Sequence, residues 1–402
     1  MEWFALIIPI LISIILFVFF KKEVVWWEML LPIVVTIIFI LIFKVSAKEL
    51  AITDTEYRGA IVQKAEYYEY WSTWVTQTCS RQVYDGEDCT TDANGRQTCV
   101  SRYHTEYYDC SYCDEHSPDW SVTDNLGRTY SITQEKYQSL IKQWSATPNF
   151  IDLQRAIYRN GSCGIDGNKY EIYWNQKPET SEATVEEYSY TNKVQASHSS
   201  FKLPIVKKEE AKKLQLYFYP KIYGYKQQVI LGLDSLDYSF EYKNKVEVLY
   251  QYLNGLKGPQ NKVKVFVCLF YNKPLSTAFS QEAFWDGGNQ NEVVICIGLD
   301  KATKTIEWVK PFSWTDDKRI LIDLREDIAE TKIFDPMKIY PIINDDIKNN
   351  SVYKNFKKDF AYLSIELTTN QLVWIYCITA LMCIGVGIWS VLNPFNNDNN
   401  YY

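Results

Sequence analysis

The chain reads as an α+β protein with membrane-spanning helices at both ends, and three observations predict that class. Long uncharged apolar runs stand near both termini, a stretch between them is dense in Tyr, Trp, Thr and Cys, and a later stretch alternates strand-like and helix-like runs. Of 402 residues, 47% are hydrophobic and 16% aromatic, including 31 Tyr and 13 Trp, which excludes a disordered chain and favours strands. The 42 basic and 49 acidic side chains leave a net charge of −7. Phosphate contacts need a basic surface, and no Lys/Arg stripe with interleaved aromatics is present, so the composition argues against nucleic acid as a partner.

The first element is the run 3–20, eighteen residues without a charge. As a helix it spans about 27 Å, one bilayer crossing. It lacks a basic leader and a small-residue cleavage site, so a retained span is expected rather than a cleaved signal. Lys21-Lys22-Glu23 interrupts, and a second span is expected over 24–43, with Trp26-Trp27 at headgroup depth. The two form a helical hairpin. A third span is expected over 372–392, twenty-one uncharged residues closed by Asn393-Pro394. No ionisable residue lies inside the first or third run, which argues against a proton or ion path. The expectation is an integral, multi-pass protein with three helices and one large domain between the second and third.

Positive-inside counting does not place that domain, because Lys21 and Lys22 are matched by Lys44 and Lys48. The cysteines tilt the balance. Six of ten fall between 79 and 163. A hairpin around Asn94-Gly95 places Cys89 opposite Cys99. One bulged residue on the second arm would bring Cys79 opposite Cys110, leaving Cys113 and Cys163 for each other. The six admit many connectivities, among which the sequence does not choose. Disulfides imply an oxidising compartment and an extracytoplasmic domain. Two alternatives stay open: free buried thiols, and a zinc site of His104, Cys110, Cys113 and His116, which lacks the second tight ligand pair that structural zinc sites use. The sequons Asn160-Gly161-Ser162 and Asn349-Asn350-Ser351 are compatible with an outward-facing domain.

Residues 50–175 are expected to form an antiparallel, Cys- and aromatic-rich β region, with turns at Asn125-Leu126-Gly127 and Asp166-Gly167. One helix, Gln134 to Trp144, interrupts it, with Ser131 or Thr133 as its cap. The aromatic cluster Tyr67, Tyr68, Tyr70, Trp71 and Trp74 fits ordinary cross-strand pairs better than a binding surface. Residues 176–203 are polar and read as a mobile connection or loosely packed strands.

From 204 to 368 an α/β domain is expected. Strands are predicted at Val229–Leu233, Val263–Phe270, Glu292–Leu299, Thr305–Phe312 and Ile320–Leu324. Helices are predicted after Val229–Leu233, ending at Gly255, then at Ser276–Trp285 and at Val352–Leu367. The order strand, helix, strand, helix, Gly/Asn-rich turn, hairpin and closing helices, with the segment Phe284-Trp285-Asp286-Gly287-Gly288-Asn289-Gln290-Asn291-Glu292-Val293-Val294-Ile295, resembles the TPM domain. That is a membrane-associated α/β/α fold of bacteria and chloroplasts, and the resemblance covers about 225–365. Gln290 and Glu292 depart from the family pattern, which has an acidic or Asn residue and a Gly there. The resemblance implies acid-phosphatase activity or upkeep of membrane protein complexes, as in some family members.

The turn 286–291 offers hard oxygen ligands. Asp286, Asn289 and Asn291, with Asp234, are the candidate set for Ca²⁺ or Mg²⁺, and otherwise no cofactor is expected. An ordinary turn with solvated carboxylates explains the same residues. With three His and no G-x-S-x-G, Walker or H-E-x-x-H motif, the chain offers no other catalytic arrangement, and Asp316-Asp317 and Glu326-Asp327 read as surface charge. The sequence therefore predicts a membrane-anchored interaction or scaffold protein, with the bilayer and a protein partner or second copy as its contacts. A membrane-tethered, TPM-like phosphatase or divalent-cation-binding domain is the alternative.

Overall fold

The structure, a computed structural model, describes residues 2–20, 27–91, 94, 96–197, 203–348, 352–365 and 367–392. The Lys21-Lys22-Glu23 loop, the turn residues Asp92, Ala93 and Gly95, His198, the Asn349-Asn350-Ser351 sequon and the tail from Asn393 lie outside the described residues. The fold is mixed α+β with antiparallel sheets.

Helix α1 (Ile7–Phe19) follows a 3-10 turn, and α2 (Leu31–Ile52) begins later and runs further than the expected 24–43. Pro32 in its first turn has no donor to lose, and nothing in Lys44–Glu49 breaks a helix, so it continues until Thr53 turns extended. Strand β1 (Thr53–Tyr68) starts at that residue, with no linker between. It is the spine of the body. Its first half, Thr53–Ile61, pairs antiparallel with β10 (Ala183–Thr191), and its second half pairs with strands on both sides. β10 falls inside the stretch 176–203 read as a polar connection. Its buried Ala183, Thr184 and Val185 give way to half-buried Glu186, Tyr188 and Tyr190 alternating with exposed Glu187 and Ser189, so composition hid a paired strand.

From Val62 to Asp124 the chain is one long ribbon in three tiers. β1 pairs with β6 (Asp119–Asp124), β2 (Trp71–Val75) with β5 (Tyr112–His116), and β3 (Thr78–Thr91) with β4 (Gln97–Asp109). β7 (Thr129–Ser131), β8 (Asn149–Ile151) and β9 (Lys169–Tyr173) complete the sheet at its base. Helix α3 (Gln134–Trp144), capped by the Thr133 side chain, closes that sheet's core with Tyr137, Leu140 and Trp144 against Val62, Ala65, Val122 and Ile172.

After two short helices, α4 (Lys193–Ala196) and α5 (Lys208–Leu214), and the small hairpin β11 (Ile222–Tyr223) and β12 (Lys226–Gln227), comes a four-stranded sheet. Its order is β13 (Ile230–Leu231), β14 (Lys264–Tyr271), β15 (Glu292–Leu299), β16 (Ile306–Phe312), the first three parallel and the last antiparallel. β14 and β15 read as continuous apolar runs because helices cover both faces. Val265, Val267, Val293 and Ile295 meet α6 (Phe240–Asn261), α8 (Arg319–Glu330) and α9 (Pro336–Lys348). Phe266, Cys268, Val294 and Cys296 meet Ala211 and Leu216 at α5 and Ala278 and Trp285 at α7 (Ser276–Phe284).

Three expectations fail here. Ile320–Leu324 is helix, not strand, because Ile320, Leu324 and Ile328 recur at helical spacing and bury one stripe. Val352–Leu367 is not a helix beyond the single turn α10 (Phe356–Asp359), whose Phe356 packs with Phe360 and Val194. The closing helix is instead α9, which tolerates Pro341 inside it. Gly255 does not end α6. It lets the helix lie on the spine: a Cβ at Gly255 would come within 2.6 Å of the Ala60 carbonyl oxygen, and one at Gly59 within 2.7 Å of the Asn254 oxygen.

Last, α11 (Thr369–Leu392) returns to α1 and α2. Ala5, Ile40 and Ile375 are buried between the helices, and Thr36 Oγ1 lies 3.2 Å from Cys383 Sγ. With mean hydropathy of 2.2 and 2.1, α2 and α11 are long and apolar enough to cross a membrane, whereas Trp3–Phe19 is shorter.

Candidate functional site

The turn before β15 is built by hydrogen bonds that close on themselves. Asp286 adopts φ 50°, Gly287 and Gly288 follow at φ 82° and 85°, and the Asp286 carbonyl accepts from Trp314 Nε1. Asn289 donates from its backbone and side-chain nitrogens to the Glu292 carboxylate, at 2.9 and 2.7 Å. Asn291 donates to the Tyr57 carbonyl, and Gln290 to Glu56 Oε2, both from the turn into β1. Tyr219 donates its hydroxyl to Glu292 at 3.0 Å, and Tyr190 shares its hydroxyl between Asp54 and Asn289. Gln290 and Asn291 thus tie this turn to the spine, and Glu292 braces it.

Asp234 does not join them. It follows the carboxyl end of β13, while residues 286–291 precede the amino end of β15. In parallel strands these are opposite ends, roughly 25 Å apart at about 3.3 Å per residue. Asp286, Asn289, Asn291 and Asp234 therefore do not converge on one cation; both asparagine amides donate within the network of the turn, while the Asn291 Oδ1 is buried without a partner.

The same region holds charged groups that sequence reasoning missed. Lys264 is fully buried beside Glu292, and its Nζ has no hydrogen-bond partner. Burial pushes Lys264 down to about 7, against the pull of Glu292 and Glu247. Burial likewise pushes Glu292 and Glu247 up to about 7, against their hydrogen bonds. The visible signal was one lysine between Val263 and Val265 in an otherwise apolar run.

Three disulfides join Cys79–Cys110, Cys89–Cys99 and Cys113–Cys163, the pairs reached from the hairpin register. One step of that argument is corrected. The bulge lies on the first arm, between Tyr84 and Gly86, so Cys79 faces Tyr108 and reaches Cys110 just beyond the ladder, with Cα atoms 5.8 Å apart. The zinc alternative is not assembled, because Cys110 and Cys113 are both in disulfides. His104 pairs with Asp85, and His116 pairs with Asp114 and stacks on Trp71. Glu87, Cys89 and Cys99 bring ligand atoms within 4.8 Å of one another, but the two sulfurs are bonded to each other.

The β3–β4 ribbon itself is the most exposed ordered part of the body. Its backbone pairs only with itself, nearly every residue on both faces is exposed, and about 45 Å of strand extends past the base sheet. Tyr84 and Tyr103 meet edge to face, while Tyr107 and Val100 stand open to solvent. A bare two-stranded ribbon is marginal in water. The disulfide near its tip and the one at its root offset that, and Cys113–Cys163 ties the tier below to the loop at Asn160–Cys163.

Comparison of the chain with family models, with curated proteins and with solved structures finds no match.

Proposed function

We propose that this chain is a membrane-anchored interaction protein that holds its folded body on the oxidising side of a membrane and presents the β3–β4 ribbon to a protein partner. The observation that carries the reading is the ribbon: a long, self-paired, twice-crosslinked hairpin with both faces open. Anchoring is supported by the apolar belt that α1, α2 and α11 turn outward, with Leu11, Val18, Ile42, Leu381 and Ile388 exposed. On this reading Trp3–Phe19 is a third, short crossing and the protein is multi-pass. The side is argued from the disulfides.

Residues 225–365 are read as TPM-like. Support comes from the order of elements, three parallel strands and one antiparallel strand with helices on both faces. The separation of Asp234 from the 286–291 turn splits the four-residue cation set, which favours the interaction reading.

Site-specific photo-crosslinking tests it. A photoreactive residue at Tyr107 is expected to give a discrete adduct in intact cells, while one at exposed Phe279 on α7 gives none of the same mass. Equal adducts from both positions, or none from Tyr107, Tyr103 and Val100, would overturn the proposal. The side is tested by an impermeant maleimide: the ribbon cysteines should label on intact cells only after reduction.

A further inference from the structure

A second surface lies away from the ribbon, where the base sheet meets the α/β unit. The first turns of α6 form a ridge between two hollows. One, of about 590 Å³, lies between the ridge and α3 with the Glu179–Glu182 segment. The other, of about 290 Å³, lies between the ridge and the β11–β12 hairpin. Phe240, Asn244 and Lys226 line both, so the hollows form one cleft, at a junction of the kind small-ligand sites favour.

We propose that this cleft binds a neutral oligosaccharide.

Three properties converge on that ligand class. The first is charge: Lys136, Lys226, Lys243 and Lys245 are met by five carboxyl side chains, so the cleft has no strong field of either sign to attract an ion. The most buried carboxylate, Glu182, is already held by Lys136 at 2.8 Å, Lys226 at 2.7 Å and the Tyr225 hydroxyl. Burial works to raise its pKa, and the two ammonium groups outweigh that and hold it below the usual range. The second is hydrogen bonding. Gln143, Gln227, Gln228, Asn244 and Gln251 line the cleft with planar amides, and the four glutamines are held in place by donating to the Thr180, Pro220, Ile230 and Gln227 carbonyls. The third is the pair of aromatic side chains left in solvent at the rim, Phe240 at 84% and Tyr223 at 77% exposure. A sugar ring carries an apolar C–H face and a rim of hydroxyls, so one neutral ligand uses both the flat rings and the amides.

The test uses the full chain in lipid nanodiscs, since sugar-headed detergents would compete. Cellohexaose, maltohexaose and chitohexaose are the neutral probes and hexagalacturonate the anionic one, read by saturation-transfer NMR and titration calorimetry. At least one neutral probe is expected to bind. Phe240→Ala and Tyr223→Ala should each weaken it about tenfold, with unchanged thermal unfolding because both rings are exposed, while Phe279→Ala leaves it intact. Absence of saturation transfer from all three neutral probes, tighter binding of hexagalacturonate, or binding indifferent to both cleft variants would overturn the proposal. None of these outcomes bears on the ribbon.

Discussion

Lys264 and Glu292 are register partners on the parallel strands β14 and β15, both fully buried, and no hydrogen bond reaches the Lys264 Nζ. The ammonium lies 5.2 Å from the centre of the Phe266 ring, while the Glu292 carboxylate is taken by Asn289 and Tyr219.

Stability should therefore pass through a minimum near neutral pH. Glu292 and Glu247 rise from 4.5 to about 7 on folding, so the stability they contribute is complete below 4.5 and is lost as pH climbs through 7. Lys264 falls from 10.5 to about 7, so its contribution is complete above 10.5 and is lost as pH drops through 7. Urea unfolding across this range should show the dip. Glu292→Gln should flatten its acidic side and Lys264→Met its basic side, and a dip unchanged in both variants would refute the assignment.

The disulfides should differ in what they hold. Replacing Cys113 and Cys163 by Ser unties the ribbon from the 160–163 loop and should cost the body about 2–4 kcal/mol in a denaturant titration. Replacing Cys89 and Cys99 should leave the body's unfolding midpoint unchanged, since β3 and β4 pair with nothing else. Faster hydrogen exchange confined to 78–109 would be the signature of the second pair.

Gly255→Ala should cost about 1–3 kcal/mol, because the new methyl meets the Ala60 backbone, which cannot swing aside, as well as the Ile61 side chain. Gly385→Ala on α11, where nothing lies within 4 Å, should be neutral and serves as the control. Thermal unfolding of the two variants separates the cases.

Alkylation of the unreduced, denatured chain should modify Cys268, Cys296, Cys377 and Cys383 and spare the six ribbon-region cysteines. Burial pushes the Cys268 thiol well above its usual range, so Cys268 should resist labelling in the folded state. Mass spectrometry before and after denaturation reads both results.

Much of the architecture was legible where one force dominates. β15 runs from Glu292 to Leu299 as expected, because a double-sided core demands an unbroken apolar run. α3 was legible from its cap and periodicity. Ile320–Leu324 was misread because five residues with four apolar side chains carry no period, and Ile328 lies outside that window. Pro336 and Pro341 masked α9, although a proline in the first turn is harmless. The Cys89–Cys99 crosslink followed from local register, while Cys79 faces Tyr108 and its bond to Cys110 needed the bulge that the sequence put on the wrong arm. The cleft did not, since Lys136, Glu182, Lys226 and Phe240 come from four separated segments that only tertiary contact brings together.

The junction at Ile52–Thr53 has one more consequence. Helix α2 passes into the spine strand without a swivel, and Asn192 donates its backbone N–H to the Ile52 carbonyl at that joint, clamping it from the side. Glycines 59 and 255 then lock the spine to α6. Rotation of α2 about its axis would turn ribbon and cleft together through the same angle, as a key turns its bow and bit, so the azimuth of one fixes the azimuth of the other.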